Sequence, residues 1–147
     1  MLLQQNVVAH MHGVAEYMAA HAEERGLDKY EMFFIGYNHD IGRICTFKDH
    51  AIFGATLIKN YAYTQVIMYH SMTPIEYMHV NRLAEENVPK ALILLWEADM
   101  SVDSKGNNCT YTERLLDIGS RYGEDSKEYR DSAITVKWLS EHGYGVM

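Results

Sequence analysis

Four polar residues stand out by type and placement: His10, the adjacent pair His39-Asp40, and Asp99. Two imidazoles and two carboxylates form a donor set that suits a borderline divalent metal such as iron, manganese, cobalt, nickel or zinc. Taken singly, each has a plainer explanation. A lone core histidine is usually just hydrogen-bonded, and a lone buried aspartate often caps a neighbouring helix. Helical phase changes the balance, because all four fall on inward faces or at a helix end where adjacent side chains converge. A carboxylate on a buried face costs several kcal/mol unless a cation compensates it.

The elements that carry these residues read as helices throughout. From Leu3 to Glu24, Val7, Met11, Val14, Met18 and Ala22 form one apolar stripe, closed by Gly26 as a C-cap. At about 100° per residue His10 lies on the edge of that stripe beside Val14 and Tyr17, while His12 points to water near Glu16. Asp28 and Glu31 read as a capping box for a second helix running toward His39 and ending near Gly42. Asp49 is expected to cap a third, His50 to Tyr61, and Thr64 a fourth ending at His70. Thr73-Pro74-Ile75-Glu76 opens a helix to about Asn87. Pro89, at a first helical position, starts the apolar helix with Leu92, Leu95, Trp96 and Asp99 on one face. Thr110 with Glu113 starts a helix ending near Gly123, and Asp125 with Glu128 one ending near Gly143. Alternating β-branched runs are absent, so the expectation is an all-α fold of seven or eight helices.

Composition narrows the class. The 147 residues fit one domain, 48% of them are hydrophobic, and the net charge is -7 from 13 Lys+Arg against 20 Asp+Glu. An acidic chain without a basic face is a poor partner for duplex nucleic acid. The longest apolar run, Ala91 to Trp96, is far too short to span a bilayer. The N-terminus lacks the basic region and cleavage site of a signal peptide, so a cytoplasmic location is expected. Cys45 and Cys109, too few for a disulfide framework, are expected to be reduced thiols. A Walker P-loop and a G-x-S-x-G elbow are both absent from the sequence.

In local context the sequence resembles the HD-domain superfamily of metal-dependent phosphohydrolases. His10-Met-His-Gly-Val-Ala15 is similar to its first-helix pattern, Gly36-Tyr-Asn-His-Asp-Ile-Gly-Arg43 to its His-Asp segment, and Glu97-Ala-Asp99 to its closing Ala-Asp. The resemblance runs from about Val7 to Lys105 and implies a single HD domain over residues 1–147, with C-terminal helices over about 110–143. Met11 stands where many members have Ser or Thr, and Arg43 where Lys is common. Two further segments, His50-Ala-Ile-Phe-Gly-Ala-Thr-Leu and Val66-Ile-Met-Tyr-His70, are similar to those of members that hold two metals. On that likeness His50 and His70 serve a second ion and Asp40 bridges both, with iron or manganese favoured over zinc, cobalt and nickel. Without it, His50 is a first-turn helix residue and His70 a C-terminal histidine favoured by the helix dipole.

The resemblance implies attack of metal-activated water on a phosphate ester or anhydride of a small molecule, with a nucleotide or dinucleotide as the expected substrate. Arg43 and Lys48, close behind the His-Asp pair, and Lys105, beyond Asp99, are the expected phosphate-binding cations. For each, a solvated surface charge is the alternative. Arg114 and Arg121 either reach a substrate or pair with nearby acids. The turn expected after the second histidine in dinucleoside-polyphosphate hydrolases is replaced here by Ser71-Met-Thr-Pro74. Other readings are a mixed-valent di-iron oxygenase, since some members of the superfamily activate oxygen with the same six ligands, and a non-catalytic regulatory module with a structural metal.

Overall fold

The computed structural model describes residues 2–42 and 61–146. Among them the regular structure is helical: α1 (Leu2–Ala22), α2 (Lys29–Asn38), α3 (Tyr61–Tyr69), α4 (Pro74–Asn81), α5 (Lys90–Ser101), α6 (Tyr111–Tyr122) and α7 (Lys127–Glu141). Short 3-10 turns lie at Glu23–Arg25 and Glu85–Asn87. The only extended pairing among the described residues is a bridge between Val102 and Asn108. The fold is all-α, as the capping signals and helical spacing required. The helix expected from Asp49 to Tyr61 falls almost wholly outside the described residues. No helix among the described residues is long and apolar enough to cross a membrane.

The two helices that matter most to the site are buried in different ways. α1 buries the stripe Val7, Met11, Val14, Met18 and Ala22 and keeps His12 exposed, so its amphipathic phase is the one the spacing predicts. α5 is apolar nearly all round, with every residue from Leu92 to Ala98 buried, as a helix through the middle of a bundle must be. It packs against α1, α2, α3, α6 and α7. Fully burying a leucine contributes about 1.5 to 3 kcal/mol, so Leu92, Leu94 and Leu95 make this helix the centre of the core. α1 and α2 approach almost to backbone contact: a Cβ on Gly36 would sit 2.7 Å from the Ala15 Cα. That closeness carries the end of α2, where His39 and Asp40 lie, toward His10.

One buried charge was not read from the sequence. Glu97, 1% exposed, accepts two hydrogen bonds from Arg25 Nη2 (2.8 and 2.9 Å) and one from the Tyr17 hydroxyl (2.7 Å). Burial, then the Glu97 hydrogen bond and charge, push the Tyr17 phenol well above its ordinary range. Arg25 also lies 5.3 Å over the Tyr144 ring.

Several helix ends differ from expectation. The fifth expected helix stops at Asn81, not Asn87, because Arg82 turns left-handed (φ 52°) and the Arg82 and Leu83 amides close back on His79 and Met78. Leu83 then packs against the core. Thr64 is not a cap but lies inside α3, whose neighbouring Tyr63 packs on Phe34 and hydrogen-bonds Glu31 of α2. Pro89 is the N-cap of α5 and not its first helical residue. Ser126, not Asp125, caps α7, its hydroxyl accepting from the Tyr129 amide at 3.1 Å. The expected caps Asp28, Thr73 and Thr110 are in place, Thr110 and Glu113 as a full capping box. Gly26 (φ 71°) closes the turn after α1.

Candidate metal centre

His10, His39, Asp40 and Asp99 converge: each offers a ligand atom, and these atoms lie within 4.8 Å of one another. His10 comes from the inner face of α1, His39 caps α2 with Asp40 in the following turn, and Asp99 comes from the last turn of α5. His10 Nε2 is 2.7 Å from Asp99 Oδ1 and 3.8 Å from Asp40 Oδ2. His39 Nε2 is 3.2 Å from Asp40 Oδ2 and 3.4 Å from Asp99 Oδ1. His70, at the end of α3, brings its Nε2 to 3.3 Å from the other Asp40 oxygen, Oδ1. The Trp96 indole of α5 donates to the His70 carbonyl at 3.2 Å, tying that helix end to the core.

The three imidazoles are held the same way. Each Nδ1 lies against a backbone carbonyl: His10 on Asp103 (3.0 Å), His39 on Gly36 (2.7 Å) and His70 on Ile67 (2.6 Å). A carbonyl only accepts, so each Nδ1 carries a proton and each Nε2 is the nitrogen turned inward. Carbonyl support of this kind fixes tautomer and ring orientation at metal-ligating histidines. His39 Nε2 is buried with no hydrogen-bond partner among the described residues. Lone pairs of nitrogen facing lone pairs of carboxylate oxygen require a positive species between them, either protons or a metal ion. The donor set therefore fits a divalent transition metal.

The protonation tendencies agree. Burial disfavours the His39 imidazolium, but the charges of Asp40 and Asp99 outweigh it and raise the group from 6.5 to about 10. Burial likewise works against the Asp99 carboxylate, but His10 and His39 hold it well below its ordinary value. In the metal-free protein a proton on His39 fills the role that a cation would take.

The support around His10 is built from an unexpected quarter. The loop after α5 folds on itself, with the Asp103 carboxylate accepting from the Lys105 and Asn107 amides, both at 2.9 Å. Gly106, at φ 86°, passes so near Ala9 that a Cβ would clash with its carbonyl, and a Cβ on Gly13 would sit 2.5 Å from the Gly106 oxygen. The loop is thus pressed on α1 where its Asp103 carbonyl meets His10. Arg114 of α6, buried, donates Nε to the Asp99 carbonyl (2.9 Å) and Nη1 to Asp117 (3.0 Å). Its Nη2 lies 3.7 Å from Asp99 Oδ1.

A cavity of about 100 Å³ opens beside His10, Asp40 and Asp99, lined also by Arg114 and Arg121. Lys105 is exposed on its loop and is not among the residues lining that cavity. Arg43, Lys48 and His50 lie outside the described residues. His12, His21, His79 and His142 are at the surface or at helix ends, His12 paired with Glu16 at 2.9 Å and His142 with Glu85 at 2.8 Å. Cys109 is a free thiol, pushed up to about 11 by burial and so poorly nucleophilic.

Sequence reasoning singled out the four residues that converge, His10, His39, Asp40 and Asp99, but not their supports. The Asp103 carbonyl belongs to backbone, which leaves no side-chain signal; only Gly106 hinted at a close approach. Arg114 was left open between substrate and acid partners, and it lines the cavity while pairing with Asp117. No curated protein and no solved structure matches the chain. The HD domain family model matches residues 7–100, a span that begins just before His10 and ends just after Asp99. With the His, His-Asp and Asp residues gathered inside that span, the chain belongs to the HD domain family, within the superfamily of metal-dependent phosphohydrolases.

Proposed function

We propose that the protein is a phosphohydrolase cleaving a phosphate ester or anhydride of a small molecule, with a nucleotide or dinucleotide as the expected class. The reading rests on one observation above the rest: Asp40 presents its two oxygens to different partners, Oδ2 to His10 and His39 and Oδ1 to His70. A carboxylate so divided suits a bridge between two ions. His10, His39, Asp40 and Asp99 would hold one ion; Asp40, His70 and His50 would hold the other, with iron or manganese favoured. Such ions lower the pKa of water and neutralise charge on a phosphoryl group.

The chain's own groups then have defined tasks. The carbonyl-bound Nδ1 protons keep the three Nε2 atoms aimed inward. The buried ligands keep bulk water from competing for the centre. Arg43 and Lys48 are proposed to bind phosphate oxygens close behind the His-Asp pair; Lys105, exposed on its loop away from the cavity, is left out of that role. In the reaction the water oxygen forms a bond to phosphorus, the bond from phosphorus to the leaving oxygen breaks, and the leaving oxygen takes up the proton.

Asp40→Ala tests this reading. It should abolish phosphate release from nucleotides and remove most bound metal, measured by elemental analysis of purified protein. Undiminished metal content would sink the bridging assignment. Oxygen consumption in place of phosphate release would replace hydrolysis with oxygenase chemistry.

A further inference from the structure

His10 is supported differently from the other two imidazoles. The carbonyls that meet His39 and His70 lie three residues before them, at helix ends where the last carbonyls lack amide donors four residues on. His10 sits in the middle of α1, where the helix uses its own carbonyls, and it takes the Asp103 carbonyl from 93 positions away. The N–H of that same peptide, on Ser104, donates to Asp117 Oδ2 at 3.0 Å, and the Ser104 hydroxyl donates to Oδ1 at 3.1 Å. One peptide unit is therefore pinned at both ends, by His10 at its oxygen and by a carboxylate at its nitrogen.

Asp117 Oδ2 also accepts from Arg114 Nη1 at 3.0 Å. Arg114 in turn donates Nε to the Asp99 carbonyl, in the last turn of α5, and its Nη2 lies 3.7 Å from Asp99 Oδ1. A single oxygen of α6 thus reaches two residues of the ligand cluster by separate routes, through a peptide to His10 and through a guanidinium to Asp99. Asp117, Arg114 and the loop all lie beyond Met100, where the family match ends. A carboxylate that accepts from a peptide N–H polarises the carbonyl of that peptide, since linked hydrogen bonds reinforce one another. His10 then gains across one peptide what a carboxylate bonded directly to a ligating imidazole supplies: a fixed ring and a more basic Nε2. The same negative charge offsets Arg114, whose guanidinium would otherwise repel a cation held by Asp99. We propose that Asp117 is a positioning residue of the metal centre, setting His10 through the Asp103–Ser104 peptide and Asp99 through Arg114. This inference rests on the metal centre of the phosphohydrolase reading and not on its substrate.

Two measurements on the full chain test it: manganese affinity, and the visible absorption spectrum of bound cobalt(II). Asp117→Asn keeps the shape of the side chain and removes its charge. It should weaken manganese roughly ten- to a hundredfold, as loss of a partner behind a metal-binding imidazole does, and shift the cobalt bands, which report ligand geometry. A role in stability alone would leave both readings unmoved in the folded protein. Where circular dichroism shows Asp117→Asn unfolded, Arg114→Lys carries the test. It keeps the positive charge but gives up the planar fork that joins Asp99 to Asp117, so the cobalt bands should shift. Unchanged affinity and bands in folded Asp117→Asn, or unchanged bands in Arg114→Lys, overturn the proposal. A wild-type chain that binds neither metal overturns the metal centre and this inference together. A wild-type chain that binds manganese, weakens as expected in Asp117→Asn and yet releases no phosphate supports the inference while the phosphohydrolase reading fails.

Discussion

Glu97 and Asp99 sit two residues apart on α5, and each meets a side chain of α1, yet their surroundings differ in kind. Glu97 is almost fully enclosed and is answered from within the chain: Arg25 and Tyr17 supply three hydrogen bonds and a full positive charge. Asp99 keeps a side chain 20% exposed beside a cavity and faces imidazole nitrogens, with only the edge of Arg114 at 3.7 Å. One carboxylate closes an ion pair and the other leaves room for a cation. Burial alone does not separate the two acids; what differs is that Glu97 is closed by a short two-oxygen contact with Arg25, while Asp99 shares its oxygen among imidazoles beside a cavity.

The sharpest way to break this contrast is to remove the counter-charge from the closed site. Arg25→Met leaves Glu97 buried and unpaired, which should destabilise the fold by roughly 3 to 5 kcal/mol. For a chain of this length that corresponds to a fall in Tm of about 10 to 16 °C. Metal content of the folded fraction should not change. A Tm close to wild type would mean that Glu97 takes up a proton or water without cost, and the contrast would lose its structural half.

Adding the missing charge to the other site should act in the opposite sense. Manganese at a hundredfold excess over its Kd should stabilise the wild-type chain by about 2.7 kcal/mol, by mass action on the folded state. Arg25→Met should gain as much as wild type, whereas Asp99→Asn should gain little. Equal stabilisation of Asp99→Asn, seen by thermal melting, would place the ion elsewhere.

A pH-dependent effect follows from His39. Its folded-state pKa of about 10 lies above the ordinary 6.5. The stabilisation from its proton is therefore complete below about 6.5 and is lost as pH rises toward 10. In chelator the Tm should decline across that window. With manganese the decline should be absent, since metal binding displaces the proton and strengthens as pH rises. Melting curves at a series of pH values, with and without EDTA, read this directly; parallel curves would remove the competition between proton and metal. The smallest effect belongs to His12, only two residues from His10 but on the outer face, paired with Glu16 at 2.9 Å. His12→Ala should change stability by less than about 1 kcal/mol and leave bound metal unaltered.

The gathering of His10, His39, Asp40 and Asp99 was legible because the apolar stripe of α1 sets His10 inward, while on α5, buried nearly all round, Asp99 stands out as a carboxylate closing an apolar run. The helix ends were less legible. Thr64 carries the side chain of a cap but is held in helix by the contacts of Tyr63 with α2, and Asp125 lost the capping role to its neighbour Ser126, which offers an equally good acceptor. The left-handed Arg82 gave no warning, since arginine rarely takes that conformation. Glu97 was hidden for a different reason: its partner Arg25 lies 72 positions away, and no local pattern relates two residues so far apart.

That separation has a counterpart in the order of assembly. His10 and Asp99 are 89 residues apart, and the carbonyl that orients His10 belongs to a loop pressed on α1 where Gly106 meets Ala9 and Gly13. An unfolded chain that captured an ion between these ligands would have to close nearly the whole intervening length, with a correspondingly large loop entropy. During synthesis the first ligand leaves the ribosome long before the last, and the glycine contact that aligns it forms later still. Metal binding by all four residues would thus depend on the finished helical packing, and the nascent chain would offer only the neighbouring His39-Asp40 pair and, separately, His10.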